Sequence, residues 1–384
     1  MKFVFASDSF KGSLSSMEIA ELLKREARAC FPDCECVCLP VADGGEGTME
    51  AVLQACGGVS LEAEVLDPLG RRIRAGYAGL DGNRALIEMA AASGLPLLRT
   101  QERDPLETTS FGTGEMIRDA LERGYRRITI AIGGSATNDG GMGAMRALGI
   151  RFLDKDGNEL SGKGKDLEMV CRIDDTGLFP LVRQAGFTVM CDVKNPLTGP
   201  DGATLTFGAQ KGGTPEKLER LERGMKRYEA VLKEAYGQEA GQREGAGAAG
   251  GLGAALSVFL QADMKPGIET VLDLVEFDKK LEGASLAVTG EGRLDWQSSF
   301  GKVPGGVGER CRLAGVPVIA IVGGMGKGAE EIYGHGISSI VTTINGPMRT
   351  EEAMKRAKEL YSCAARRVFR LFKAGMEAGT AAAL

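Results

Sequence analysis

The segment Gly133-Gly134-Ser135-Ala136-Thr137-Asn138-Asp139-Gly140-Gly141 sets hydroxyl, amide and carboxylate side chains among glycines. Glycine lets a backbone approach a ligand closely, and open N–H groups at a helix start attract anions, so the pattern suits a phosphate or a carboxylate. A second segment, Asp43-Gly44-Gly45-Glu46-Gly47-Thr48, repeats the theme with two carboxylates. Each needs a strand before it and a helix after it. The first follows the apolar run Ile128-Thr129-Ile130-Ala131-Ile132 and leads into Met142-Gly143-Ala144-Met145. The second follows Val37-Cys38-Leu39-Pro40-Val41 and opens a helical pattern with Met49, Val52, Leu53 and Cys56 on one face. Ligands of open α/β sheets collect at the carboxyl ends of strands, where both segments would lie. An ordinary tight connection is the plainer alternative for either one.

Other chemistries are poorly supplied. The only histidine, His335, stands in the turn-like Tyr333-Gly334-His335-Gly336, which leaves no His-based triad and little for a zinc site. Nine cysteines, an odd number with Cys34, Cys36 and Cys38 alternating, make no disulfide framework. A net charge of −5 offers no broad basic face for nucleic acid or anionic lipid, so the expected partner is a small molecule, with homo-oligomer formation left open. The apolar run near Met1 is too short for a signal peptide and no long one follows, which points to the cytoplasm.

The elements that must position these groups follow from periodicity. Residues 3–7 read as a buried strand, and Ser15-Ser16-Met17-Glu18 is a capping-box pattern opening a helix. A strand at 36–41 and a helix at 46–56 come next. The βα rhythm then stops: residues 60–66 and 71–78 read as a hairpin joined by Asp67-Pro68-Leu69-Gly70, with a third strand at 85–89. It resumes with strands at 285–289, 316–322 and 338–343. Two βα units cannot cover both faces of a parallel sheet. Residues 1–60 and 285–384 are therefore expected to form one discontinuous, doubly wound parallel-sheet domain of the α/β class, Rossmann/flavodoxin-like, with residues 61–284 inserted as a second α/β domain and the active site in the cleft between them. Within the insert, a helix is expected at 110–123, strands at 128–132 and 187–192, and a charged helix at 216–234. The Gly/Ala-rich stretch 237–253 reads as an ordered turn with a flexible approach.

Two motif matches fail on setting. Gly157-Asn158-Glu159-Leu160-Ser161-Gly162-Lys163 copies part of a phosphate loop, but Gly164 stands where Ser or Thr is needed and Asp154-Lys155-Asp156-Gly157 reads as a hairpin turn. The spacing of Gly245, Gly247 and Gly250 copies a dinucleotide fingerprint after residues that are polar and helical.

Taken in order, Asp8-Ser9-Phe10-Lys11-Gly12-Ser13, Asp43-Gly44-Gly45-Glu46-Gly47-Thr48, Thr109-Ser110-Phe111-Gly112-Thr113-Gly114, the 133–141 segment, Asp192-Val193-Lys194-Asn195-Pro196-Leu197 and Thr289-Gly290-Glu291-Gly292-Arg293-Leu294-Asp295 resemble the bacterial glycerate kinase type-1 family. Gln210-Lys211-Gly212 and Ser298-Ser299-Phe300-Gly301-Lys302 fit it too, so the resemblance runs along nearly the whole chain. It implies ATP-dependent phosphorylation of D-glycerate, to 2-phosphoglycerate rather than 3-phosphoglycerate, with Mg2+ implied by the ATP chemistry.

Phosphoryl transfer asks for positioning and charge stabilisation more than for a covalent nucleophile. Under that resemblance Lys11 and Lys211 are candidates for phosphate contacts, and Arg293 for a fork on the glycerate carboxylate. Asp192 is the first choice for the base or orienting group at the substrate hydroxyl, because it ends an apolar strand where an unpaired carboxylate would be costly. Asp43, Asp139 and Glu291 are the magnesium candidates through water, with Asp8 next. Ser13, Gly44, Gly45, Gly133, Gly134, Ser135, Thr137, Asn138, Asn195 and Lys302 complete the substrate- and phosphate-binding set. The sequence does not separate base from metal ligand. Competing classes are a nicotinamide-dependent dehydrogenase, whose glycine spacing is missing after the first strand, and a non-enzymatic sugar-acid sensor, for which no output module is visible.

Overall fold

In the computed structural model, residues 1–45, 47–237, 240–299 and 301–382 are described. Glu46 and Phe300, members of two of the motifs, lie outside them. By packing, the chain divides into two units: Met1–Asp43 with Glu50–Cys56 and Gly267–Leu384, and Gly44–Met49 with Gly57–Pro266.

The first unit is built on a five-stranded sheet in the spatial order Ser339–Thr342, Val318–Val322, Leu286–Thr289, Lys2–Phe5, Glu35–Cys38. Every neighbouring pair is parallel, so helices must return the chain and cover both faces, which is why Leu286–Thr289 is buried at all its residues. The chain first steps from Lys2–Phe5 to the Glu35–Cys38 edge, then crosses to Leu286–Thr289 on the other side. Connections that depart in opposite directions leave a crevice at the carboxyl ends of the two central strands.

Ser15 caps the helix Ser16–Cys30 as its sequence implies: the Glu18 N–H donates to the Ser15 hydroxyl and the Ser15 N–H to the Glu18 carboxylate. That helix packs beside Ala357–Ala382, where Arg366 pairs with the buried Glu26 carboxylate at 2.9 Å. The helices Gly267–Leu274 and Phe277–Leu281 also belong to this unit, so it resumes earlier in the chain than residue 285. The reason is side-chain packing. Ile268 sits against Gly306 of the helix Val303–Ala314, and Arg310 of the same helix pairs with Glu269, Asp273 and Asp278.

The second unit holds a six-stranded sheet in the order Asp263–Lys265, Gly186–Met190, Arg127–Ala131, Arg84–Glu88, Arg72–Leu80, Val59–Leu66. The last three form the antiparallel meander and the rest are parallel. The Asp67 carboxylate accepts the N–H groups of Leu69 and Arg71, which closes the hairpin turn. The Asp154 carboxylate does the same for Asp156 and Asn158, so the phosphate-loop look-alike is a turn.

The Gly/Ala-rich stretch backs the 133–141 turn. Residues 238–239, part of the flexible approach expected before it, lie outside the described residues, whereas Ala246 to Phe259 is buried throughout. The Gly140 N–H donates to the Gly250 carbonyl at 2.9 Å, and a Cβ at Gly250 would stand 2.1 Å from the Thr137 oxygen. Gly250 also has φ +69°, a backbone that L side chains rarely adopt. Gly250→Ala is therefore expected to lower the stability of the chain by roughly 3 kcal/mol, strain and clash together. At Gly157, φ +83°, no atom among the described residues lies within 4 Å of such a Cβ, and alanine should cost only about 1–2 kcal/mol. Denaturant midpoints of the two variants read the difference; equal losses would mean that the clash is relieved.

Candidate active site

The crevice of the first unit contains a cavity of about 620 Å³. Its walls begin where the strands end. After Lys2–Phe5 the chain turns at Asp8, whose N–H donates to the Gly290 carbonyl at 3.0 Å and whose Oδ1 accepts the Ser9 N–H at 2.6 Å. Gly12, at φ +78°, lets the loop fold back so that Ser13 N–H and hydroxyl both donate to the Phe10 carbonyl. After Leu286–Thr289 comes Gly290, where a Cβ would lie 1.8 Å from the Ile321 oxygen. Only glycine lets the end of Leu286–Thr289 close up on the neighbouring strand Val318–Val322. Arg293 follows on a two-residue strand paired with Gly324–Met325, and Lys302 stands at the N-terminus of Val303–Ala314.

The cavity thus brings together Asp8, Lys11, Ser13, Asp43, Glu291, Arg293 and Lys302 of the residues singled out from sequence. Burial pushes the Asp8 carboxyl up to about 6, with the Asp43 charge adding to it and the Ser9 N–H opposing. Burial likewise pushes Glu291 up to about 6, helped by the Asp8 and Asp295 charges and opposed by the Ser298 hydroxyl and Lys302. The Lys302 ammonium stands 4.0 Å from Glu291 Oε2, and Glu291 Oε1 is buried with no hydrogen-bond partner among the described residues. Carboxylates held this way favour a proton or a cation. Lysine and arginine beside them supply charge for phosphate or carboxylate oxygens.

In the second unit the outcome is different. Asp139 is fully buried, and its carboxylate accepts the Ser110 N–H at 2.7 Å, the Ser110 hydroxyl at 2.8 Å, the Gly141 N–H at 3.0 Å and the Gly143 N–H at 3.2 Å. The helix-start N–H groups expected to receive a ligand anion are filled by the chain's own carboxylate. Three of these donors meet one oxygen and one the other, and a carboxylate with no exposed surface is not open to a magnesium ion held through water, so Asp139 is corrected to a group that ties the turn.

Lys211 is corrected as well: it is buried, its ammonium donates to the Thr137 carbonyl at 2.7 Å, and it braces the turn instead of reaching a phosphate. Burial pulls its pKa down to about 7 while the Asp139 charge acts upward. Thr137 and Asn138 are buried too, the Asn138 amide donating to Thr204 Oγ1, and Ser135 is nearly so. Gly133 and Gly134 remain exposed. A Cβ at Gly133 would stand 3.8 Å from the Gly44 oxygen, so the turn at Gly44 and Gly45 lies beside them.

Asp192 is exposed, two residues past the end of Gly186–Met190. The burial that made it the first choice of base is absent. The Asn195 amide donates to the Asp201 carbonyl at 2.7 Å and ties its own loop.

Sequence reasoning missed the cavity's other wall, formed by Gly323, Gly324, Met325, Thr343 and Ile344 with Met348, Thr350, Ala353, Met354 and Ala357. These residues carry no polar motif. The available signal was position, since they follow the apolar runs at 316–322 and 338–343. Among the described residues no group of three or more His, Cys, Asp or Glu side chains is arranged to hold a metal directly.

Comparison with known proteins covers the same span. A model described as the glycerate kinase family matches residues 3–373. The glycerate kinase of Bacillus subtilis (strain 168) is 45% identical over 367 residues, 95% of this chain and 96% of that protein. The glycerate 2-kinase of Escherichia coli (strain K12) is 43% identical, covering 98% of this chain and 99% of its own. The crystal structure of a glycerate kinase 2 from Salmonella typhimurium LT2 superposes with a TM-score of 0.89 at 44% identity, over 98% of this chain and 99% of that one.

Proposed function

Because the chain belongs to the glycerate kinase family, we propose that it phosphorylates D-glycerate on the 2-hydroxyl, with ATP as donor and Mg2+ as the accompanying ion. The observation that carries this reading is the single cavity in which Lys11, Arg293 and Lys302 stand among Asp8, Asp43 and Glu291. Lys11 and Lys302 neutralise phosphate oxygens, and the Arg293 fork takes the glycerate carboxylate. Asp8 takes the hydroxyl proton in place of Asp192, because a carboxyl near 6 both ionises at neutral pH and binds a proton usefully. In the second unit, the exposed backbone at Gly133 and Gly134, with the half-buried Gly44 and Gly45 beside it, is the part of the glycine turns left for an anion.

The residues fit a magnesium ion held largely through water. Glu291 Oε1 is buried without a hydrogen-bond partner among the described residues, and Asp8 and Asp43 face the same cavity without forming a direct three-carboxylate cage. Magnesium is commonly held by one or two carboxylates, waters and the substrate phosphates. Bound there, it would neutralise charge on the phosphates. A cytoplasmic setting belongs to the same proposal; among the described residues no helix is long and apolar enough to cross a membrane.

The test is ADP release by the purified protein with D-glycerate, L-glycerate or glycerol, with and without magnesium, followed by coupling to an enzyme that dehydrates 2-phosphoglycerate. Turnover is expected only with D-glycerate and magnesium, and its product should be consumed by the coupling enzyme. Equal turnover with glycerol would remove Arg293 as a carboxylate fork, and a product inert to the coupling enzyme would assign the other hydroxyl.

A further inference from the structure

The cavity has two chemically different halves that arise from different strands and meet where Arg293–Leu294 pairs with Gly324–Met325. Its charged lining residues Asp8, Lys11, Asp43, Glu291, Arg293 and Lys302 come from segments that follow Lys2–Phe5, Glu35–Cys38 and Leu286–Thr289. The lining that follows Val318–Val322 and Ser339–Thr342 carries no charged side chain among the described residues. Its bulk is Met325, Ile344, Met348, Ala353, Met354 and Ala357. Met325, Ile344 and Met354 are 45%, 38% and 43% exposed, a grouping of large apolar side chains left open to water inside a concave site. Such surface marks a ligand position more often than an accident of packing.

We infer that this half is the shelf for the nucleobase of the phosphoryl donor, with the triphosphate running along the strand ends toward Lys11 and Lys302. The inference rests on the kinase reading above, which requires a ligand with one flat apolar end and one anionic end. Glycerate has no such apolar end. Three strand spacings separate Ser339–Thr342 from Lys2–Phe5, roughly 14 Å at about 4.8 Å each, the scale of a nucleotide laid out from base to terminal phosphate. A volume of about 620 Å³ is that of an ordinary small-molecule pocket. The side-chain chemistry agrees. Methionine is flexible and polarizable, and its sulfur makes favourable contacts with aromatic rings, so Met325, Met348 and Met354 suit a purine face. Met354 also reaches the loop after the first strand, since a Cβ on Gly12 would stand 3.0 Å from its Cε. The shelf therefore borders the charged half at that loop and again at Arg293, whose strand pairs with Gly324–Met325.

The test separates the two substrates kinetically in the full-length chain. Ile344→Asp and Met354→Asp place a charge on the shelf at exposed positions, while Ile344→Met and Met354→Leu keep it apolar. The aspartate variants should raise the KM for ATP by roughly 10-fold or more, with the KM for glycerate within about twofold of the parent; the conservative variants should restore the parent KM for ATP. Calorimetry with ADP alone should show the same loss of affinity. A rise in the KM for glycerate with that for ATP unchanged, or unchanged values for both, would overturn the shelf assignment. If the parent chain turns over no glycerate, the function proposal fails on its own, and ADP calorimetry of parent and variants still decides whether the base sits here.

Discussion

Asp8→Asn is expected to lower kcat by roughly 10²-fold or more while making the protein more stable at neutral pH. Asparagine keeps an oxygen for the Ser9 N–H, so the turn after the first strand should survive. It cannot accept the hydroxyl proton, which removes the base. The stability gain follows from linkage. The folded carboxyl titrates near 6, above its ordinary value of 3.8, so the folded state binds more protons between those values and loses stability as pH rises through them. That loss is absent below 3.8 and complete above about 6, where asparagine should recover on the order of 2 kcal/mol. Part of the gain comes from Glu291, which Asp8 otherwise repels. Thermal melts of parent and variant from acid to neutral pH read it directly, and the parent's activity should decline as pH falls below about 6. A variant with parental kcat would remove Asp8 from the chemistry, and parallel stability profiles would show that its charge is not strained.

Asp139→Ala is expected to destabilise the protein by roughly 3–5 kcal/mol, a large fraction of a typical domain's stability. Alanine would leave the N–H groups of Ser110, Gly141 and Gly143 and the Ser110 hydroxyl without the carboxylate that receives them. Lys211 would lose the opposite charge that helps keep its buried ammonium protonated. A magnesium ligand would behave in the reverse way, with activity lost, the denaturant midpoint little changed and extra magnesium partly compensating. Unfolding curves combined with a magnesium titration of activity separate the two.

The local elements were legible because their causes are local. The Ser15–Glu18 capping box, the meander around Asp67, the helix Phe111–Glu122 and the restart of strands at Leu286 all follow from periodicity and turn chemistry within a few residues. Motif spacing also picked out the charged half of the cavity, from Asp8 to Lys302, since those side chains sit in short polar loops directly after apolar runs.

What the sequence left undecided was each polar group's partner and its exposure. Asp139 among glycines reads equally as ligand or as cap, and it became a cap because Ser110, 29 residues earlier, is folded onto it. Lys211 looked like a phosphate contact until the fold set it on a carbonyl 74 residues away. Asp192 looked buried because its strand was extended past Met190. The apolar wall was invisible for a related reason: Met325, Ile344 and Met354 are indistinguishable from core residues until the strand order places them at the rim of the crevice. Periodicity is written in neighbouring residues, whereas desolvation and hydrogen-bond satisfaction are set by segments far apart in the chain, so the sequence by itself determined the elements and the reactive groups, and only the tertiary structure decided which of those groups stay open to a ligand.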